Sequence, residues 1–185
     1  MKRRIGILTS GGDCPGLNAA ILGLVKASNE LMDAEFIGIA DGYKGLIEGD
    51  YHEMDPKEVN GILTLGGTIL GTARRPFRNM RKIEEDGIDK VEAMKKNYKT
   101  MGLDCLVTLG GNGTHKTANL LNEEGLHVIG LPKTIDNDIW GTDVTFGFHT
   151  AVDLATDVVD RIHTTANSHG RVMVIEIMGD RKSVV

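Results

Sequence analysis

The sequence predicts an α/β fold of Rossmann-like type, a parallel sheet between two layers of helices. Three observations predict it. Apolar runs rich in branched residues alternate with helical periodicity along the chain. Those runs are nearly continuous rather than alternating, as strands buried on both faces are. Glycine pairs stand where strands give way to helices, at Gly11-Gly12 and Gly110-Gly111. Composition agrees: of 185 residues, 41% are hydrophobic and 25% charged, which suits one sizeable core. The chain has 24 glycines, and they fall in pairs at strand ends, so they do not mark a low-complexity tract.

The elements follow in order. Residues 4–10, RIGILTS, read as a buried strand, and residues 11–16 as a turn. Residues 17–32 form a helix, with Ile21, Leu24 and Val25 among its apolar positions. Residues 35–40 are a second strand. Residues 41–60 are mixed, with a short helix expected after Asp55-Pro56, where proline suits a first turn. Residues 61–72 are apolar and glycine-rich, and Arg74, Arg75, Arg78 and Arg81 follow. Residues 86–101 read as an amphipathic helix with a charged outer face. Residues 104–109 are a strand, 110–114 a turn and 115–124 a helix, stopped by Gly125. Residues 127–131 are a strand, 145–166 a long helix, and 171–178, RVMVIEIM, a last strand.

Bulk charge excludes some functions. A net charge of −5 favours neither a nucleic-acid backbone nor an anionic membrane surface. No stretch approaches a membrane span, and the N-terminal apolar run is too short for a signal-peptide core. Cys14 and Cys105 lie far apart without metal spacing, as thiols of a reducing compartment do. The expected location is the cytoplasm. His115, His163 and His169 also lack metal spacing and are read as surface or supporting groups.

The chemistry gathers at residues 130–138, GLPKTIDND. Pro132, Lys133, Thr134, Asp136, Asn137 and Asp138 follow one another at a strand end. A cation, a hydroxyl and two carboxylates suit phosphoryl transfer, which needs charge neutralisation, a base and metal coordination. The bland alternative is a polar loop whose acids cap a turn. A Gly-Gly pair lets backbone N–H groups approach a phosphate, and the helix behind it adds a partial positive charge. ILTSGGDCPGLNAA and LVTLGGNGTHKTAN repeat that arrangement, and neither matches a P-loop or a dinucleotide fingerprint. The right-handed crossover rule gathers residues 10–16, 110–114 and 132–138 at one sheet edge, where such sheets bind ligands. Arg74 and Arg75 suit a bidentate phosphate clamp, with a solvated turn as the alternative.

IGILTSGGDCPGLNAAI, LGTARR, LGGNGT, GLPKTIDNDIWGTDVTFGF and SHGRVMVIEIMG together resemble the 6-phosphofructokinase family over essentially the whole chain. GGNGT alone is weak; PKTIDND followed by GTD, SHGR and EIMG is highly specific. The resemblance implies phosphoryl transfer from ATP to the 1-hydroxyl of fructose 6-phosphate, with Mg²⁺. It implies that Gly12, Arg74, Arg75, Gly111, Asn112, Gly113, Thr114 and Lys133 hold the donor. Asp136 matches the catalytic base, Thr134 contacts the sugar, and Asp138 supports the metal site with Asn112. Ile135, Met178, Gly179 and Asp180 belong to the sugar site, and Arg171 reaches the sugar phosphate of a neighbouring subunit. The family forms dimers or tetramers, so a homo-oligomer is expected.

Departures matter. Asn112 stands where the family usually carries an acidic metal ligand. Gly113 is typical of ATP users, whereas Lys133 is typical of pyrophosphate users. ATP is the reading taken, with pyrophosphate, or a nucleotide-binding fragment without activity, as alternatives. Leu22 and Lys26 occupy positions of allosteric-site arginines, and leucine cannot replace one. Family members continue well past EIMG. The expected layout is a nucleotide-binding α/β domain over 1–138, then the start of a sugar-phosphate-binding domain over 139–185, truncated before most of that domain.

Overall fold

Strands come first because their apolar runs bury both faces. The computed structural model describes residues 2–85 and 87–179. β1 (Arg3–Thr9), β2 (Ala34–Ile39), β3 (Tyr51–Met54), β4 (Cys105–Gly110) and β5 (Val128–Pro132) form one sheet in the order β3-β2-β1-β4-β5. Its register pairs Ile5 with Phe36 and Cys105, and Leu109 with Leu131. The period of two divides the side chains between two cores. Ile5, Ile7, Phe36, Val107 and Leu109 point to one face, where α1 (Leu17–Leu31) contributes Leu17, Ile21 and Val25. Leu8, Ile37, Ile39 and Leu106 point to the other. There α2 (Tyr43–Glu48), α3 (Lys90–Thr100) and α4 (Asn112–Glu123) supply Tyr43, Leu46, Met94, Tyr98 and Leu121. The three-layer α/β expectation is met.

Several boundaries differ, each for a local reason. α3 starts at Lys90, not 86, because the Asp89 carboxylate caps the N–H groups of Val91 and Glu92. α4 starts at Asn112, inside the expected turn, so the second glycine turn is already a helix N-terminus. The turn after Asp55 is a 3-10 helix, Pro56–Val59, closed by a capping box between Asp55 and Glu58.

Two corrections concern strands. The sheet is not all parallel: β3 pairs antiparallel with β2, Phe36 facing Met54. Residues 171–178 form no strand. Val172 and Val174 are 93% and 95% exposed, and no strand of the sheet pairs with this stretch. A strand exists only through a neighbour's hydrogen bonds, whatever its apolar content. α5 (Phe148–His169) runs three residues past the expected end, and none of its 22 residues is buried.

Candidate active site

The carboxyl edge of the parallel strands carries the site, as the chain order requires. The first turn, residues 10–16, leaves β1; the second leaves β4 at Gly110; the third leaves β5 at Pro132. A cleft of about 560 Å³ lies among them. Gly12 lines it from the first turn; Gly111, Gly113 and Thr114 from the second; Lys133, Thr134, Ile135 and Asp136 from the third. Arg74 and Arg75 border it from the segment before Pro76, and Met178 and Gly179 close it.

Specific bonds hold the first two turns together. Thr114 Oγ1 donates to the Ser10 carbonyl at 3.3 Å. Tyr43, 1% exposed, donates its hydroxyl to the Thr114 carbonyl at 2.9 Å, which ties α2 to the start of α4. Burial pushes the Tyr43 phenol upward, so it remains a donor. Thr72 donates to the Gly11 carbonyl at 2.7 Å, and Gly11 N–H to Ala73 at 3.3 Å, which fastens the arginine segment to the first turn. Gly12 sits close to Arg74: a Cβ there would lie 3.1 Å from Arg74 Nη2, and the exposed arginine tip would have to give by a few tenths of an ångström.

The third turn is braced from within. Asp136 N–H donates to Thr134 Oγ1 at 3.0 Å. Asn137, at φ 49°, accepts from Thr145 N–H at 2.9 Å and donates to the Asp143 carbonyl at 3.2 Å. Thr145 Oγ1 donates to the Thr134 carbonyl at 2.7 Å. The amide between the two acids is thus a brace, and it leaves Asp136 at the cleft. Gly147, at φ 94°, lets the following loop pack on the first turn, since a Cβ would meet Cys14 Sγ at 2.5 Å.

Electrostatics divide the cations. Arg75 pairs with Glu48 at 3.8 Å. Lys133 is 4% exposed and donates to the Gly12 carbonyl. Burial lowers its pKa, with Arg74 acting the same way and Asp13 opposing. Burial also pushes the Cys14 thiol up to about 11, which keeps it protonated and unreactive near neutral pH.

Not every expected residue lines the cleft. Asn112 and Asp138 lie outside its lining and adjoin each other, Asn112 Nδ2 donating to Asp138 Oδ2 at 3.4 Å. Arg171 is exposed and does not line it. Asp180 lies outside the described residues. Ser10, Gly11, Asp13 and Cys14 line the cleft from the expected turn 10–16, though none of the four was given a role, and Pro76 and Phe77 line it unexpectedly. Asp13 carried a signal, since an ionisable residue directly after Gly-Gly at a strand end lies at the sheet edge where such folds bind ligands. Among the described residues no group of three or more His, Cys, Asp or Glu side chains could hold a metal. Asn112 and Asp138 nevertheless suit an ion that arrives on phosphates, because Mg²⁺ takes one or two carboxylates and completes its shell with phosphate oxygens and water. Among the described residues no helix is long and apolar enough to cross a membrane.

Fold and cleft define a class: an α/β protein whose carboxyl-edge cleft, glycine-lined and cationic, suits phosphorylated ligands. The phosphofructokinase family model matches residues 4–184, and the chain belongs to that family. It is 63% identical over 182 residues to the ATP-dependent 6-phosphofructokinase of Spirochaeta thermophila, covering 97% of this chain and 50% of that protein. It is 51% identical to ATP-dependent 6-phosphofructokinase 3 of Bacteroides thetaiotaomicron, covering 96% and 53%. Among solved structures, phosphofructokinase from Saccharomyces cerevisiae aligns with a TM-score of 0.83 at 32% identity, over 96% of this chain and 26% of that one. The chain spans about half the length of the curated relatives it matches.

Proposed function

We propose that this chain carries the donor side and the catalytic base of an ATP-dependent 6-phosphofructokinase, which phosphorylates the 1-hydroxyl of fructose 6-phosphate. The observation that carries the reading is the meeting of Asp136 with both glycine turns, Arg74 and Lys133 around one cleft. The names of the relatives support ATP as donor.

Each group has a task. Gly12, Gly111, Gly113 and Thr114, at two helix-forming turns, receive the donor phosphates. Arg74 and Arg75 neutralise them, and Thr134, Ile135, Met178 and Gly179 position the sugar. Asp136 accepts the proton of the 1-hydroxyl as its oxygen bonds to the terminal phosphorus. The bond from that phosphorus to the bridging oxygen breaks, and ADP leaves with the electron pair. Asn112 and Asp138 would hold Mg²⁺ with the donor phosphates, where the ion neutralises phosphate charge.

Residues 1–138 form the donor-binding body and 139–185 open the sugar-phosphate part. Supporting this, every residue of the two cores precedes 138, and α5 has none buried. Arg171 and Asp180 belong to the sugar-phosphate side, in a cytoplasmic homo-oligomer. Pyrophosphate is the second reading, favoured by the lysine at 133.

Asp136→Asn tests the assignment. Turnover is expected to fall by about 10²–10⁴-fold, while ATP affinity by calorimetry stays within about threefold. Equal loss of affinity and turnover would place Asp136 in donor binding instead.

A further inference from the structure

Lys133 is bonded to both glycine turns. Its backbone N–H donates to the Gly110 carbonyl at 3.0 Å, at the start of the second turn. Its side chain crosses the cleft floor to the first turn, where the ammonium donates to the Gly12 carbonyl. It is 4% exposed. A buried ammonium needs acceptors, and a main-chain carbonyl is a fixed one. Arg74 also lies beside Gly12, with its Nη2 3.1 Å from where a Cβ would stand. The Gly12 peptide is therefore held at its oxygen by the lysine, with the Arg74 guanidinium close to the same residue.

We propose that Lys133 is a positioning residue that fixes the Gly12 peptide for the donor, and that its ammonium serves this internal tie rather than a pyrophosphate ligand. Loss of the ammonium frees the Gly12–Asp13 peptide to rotate, and the first turn loses the arrangement that receives phosphate. The lowered pKa of Lys133 agrees with an ammonium sequestered from water. Donor choice then rests on Gly113, which lines the cleft with open space around it. The inference deepens the donor-site reading and rests on it for the kinetic arm alone.

The test compares the wild-type chain with Lys133→Met, which keeps the length of the side chain and removes the donor. Amide hydrogen exchange of the ligand-free proteins is read at residues 11–14, with α3 as internal reference. Protection at 11–14 is expected to fall at least tenfold in Lys133→Met and to return in part in Lys133→Gln, which keeps a neutral donor. Protection of α3 is expected to stay unchanged. In the kinetic arm KM for ATP is expected to rise at least tenfold with kcat within threefold, and neither protein should use pyrophosphate. Unchanged protection at 11–14 overturns the tie. Pyrophosphate use by the wild type that Lys133→Met abolishes makes Lys133 a direct donor contact and also overturns it. If Lys133→Met fails to fold, the exchange of Lys133→Gln decides, with protection at 11–14 below the wild-type level supporting the tie and unchanged protection overturning it. Absence of turnover with either donor in the wild type counts against the kinase reading, while the exchange arm still judges the tie.

Discussion

Two glycines three residues apart should respond oppositely to the same added methyl. Gly110 ends β4 where the first and second turns cross. A Cβ there would lie 2.5 Å from Thr114 Cβ and 2.7 Å from the Ser10 carbonyl oxygen, well inside ordinary contact. Neither atom is the end of a flexible side chain, so one of the two turns must shift. Overpacking of this kind costs about 1–3 kcal/mol, which for a chain of this size lowers Tm by roughly 3–10 °C. The bond from Thr114 to Ser10, 3.3 Å in the wild type, spans the same gap and breaks with the shift, so ATP affinity should fall as well. Gly113 stands in the first turn of α4, lines the cleft and has nothing within 4 Å of its Cβ position. Alanine there should stabilise the helix by about 0.5–1 kcal/mol. The same methyl narrows the donor cleft, so ATP affinity should drop about tenfold. Scanning calorimetry and ATP titration of the two variants separate the effects. An equal fall in Tm for both, or unchanged ATP affinity in Gly113→Ala, would refute the assignment of the two turns.

Asn112→Asp sets a second carboxylate beside Asp138, which Asn112 approaches to 3.4 Å, and should lower several-fold the Mg²⁺ concentration that supports half-maximal activity; an unchanged Mg²⁺ titration would remove Asn112 from the proposed metal site. His115 should make stability depend on pH. Burial holds its pKa below 6.5, and Nε2 is buried without a hydrogen-bond partner among the described residues. The unfolded chain therefore binds the proton first as pH falls below about 6.5, and stability declines there. His115→Gln should flatten the urea midpoint between pH 6.5 and 5, and an unchanged slope would place the effect elsewhere.

The core was legible because its strands are nearly unbroken apolar runs. β1, β2, β4 and β5 need no other signal, and the period of two in the structure only divides their residues between the two faces. β3 was not legible. Its four residues, YHEM, leave only Met54 buried, so it lacks an apolar run and exists through its pairing with β2. Residues 171–178 are the converse: strongly apolar, with the pattern of a buried strand, but without a neighbour to pair with. Propensity reports what a segment suits, and pairing decides what it does. At the site, the glycines and residues 130–138 announced themselves because special backbone and charge are visible in residue type. The ties were invisible for the opposite reason. Tyr43 and Thr72 are ordinary residues whose hydroxyls matter only because the chain brings Thr114 and Gly11 to them. Asn137 was given no role beyond its place between two acids, yet its left-handed φ and its two bonds brace the loop that carries Asp136.

The central claim is that Asp136, the glycine turns and the cleft cations form an ATP-dependent phosphoryl-transfer site for fructose 6-phosphate. It is tested most directly by a coupled assay of the purified chain with fructose 6-phosphate and Mg²⁺, offering ATP and pyrophosphate in parallel. Fructose 1,6-bisphosphate from ATP alone, lost in Asp136→Asn, is the predicted result. Product from pyrophosphate alone, or undiminished turnover in Asp136→Asn, would contradict it.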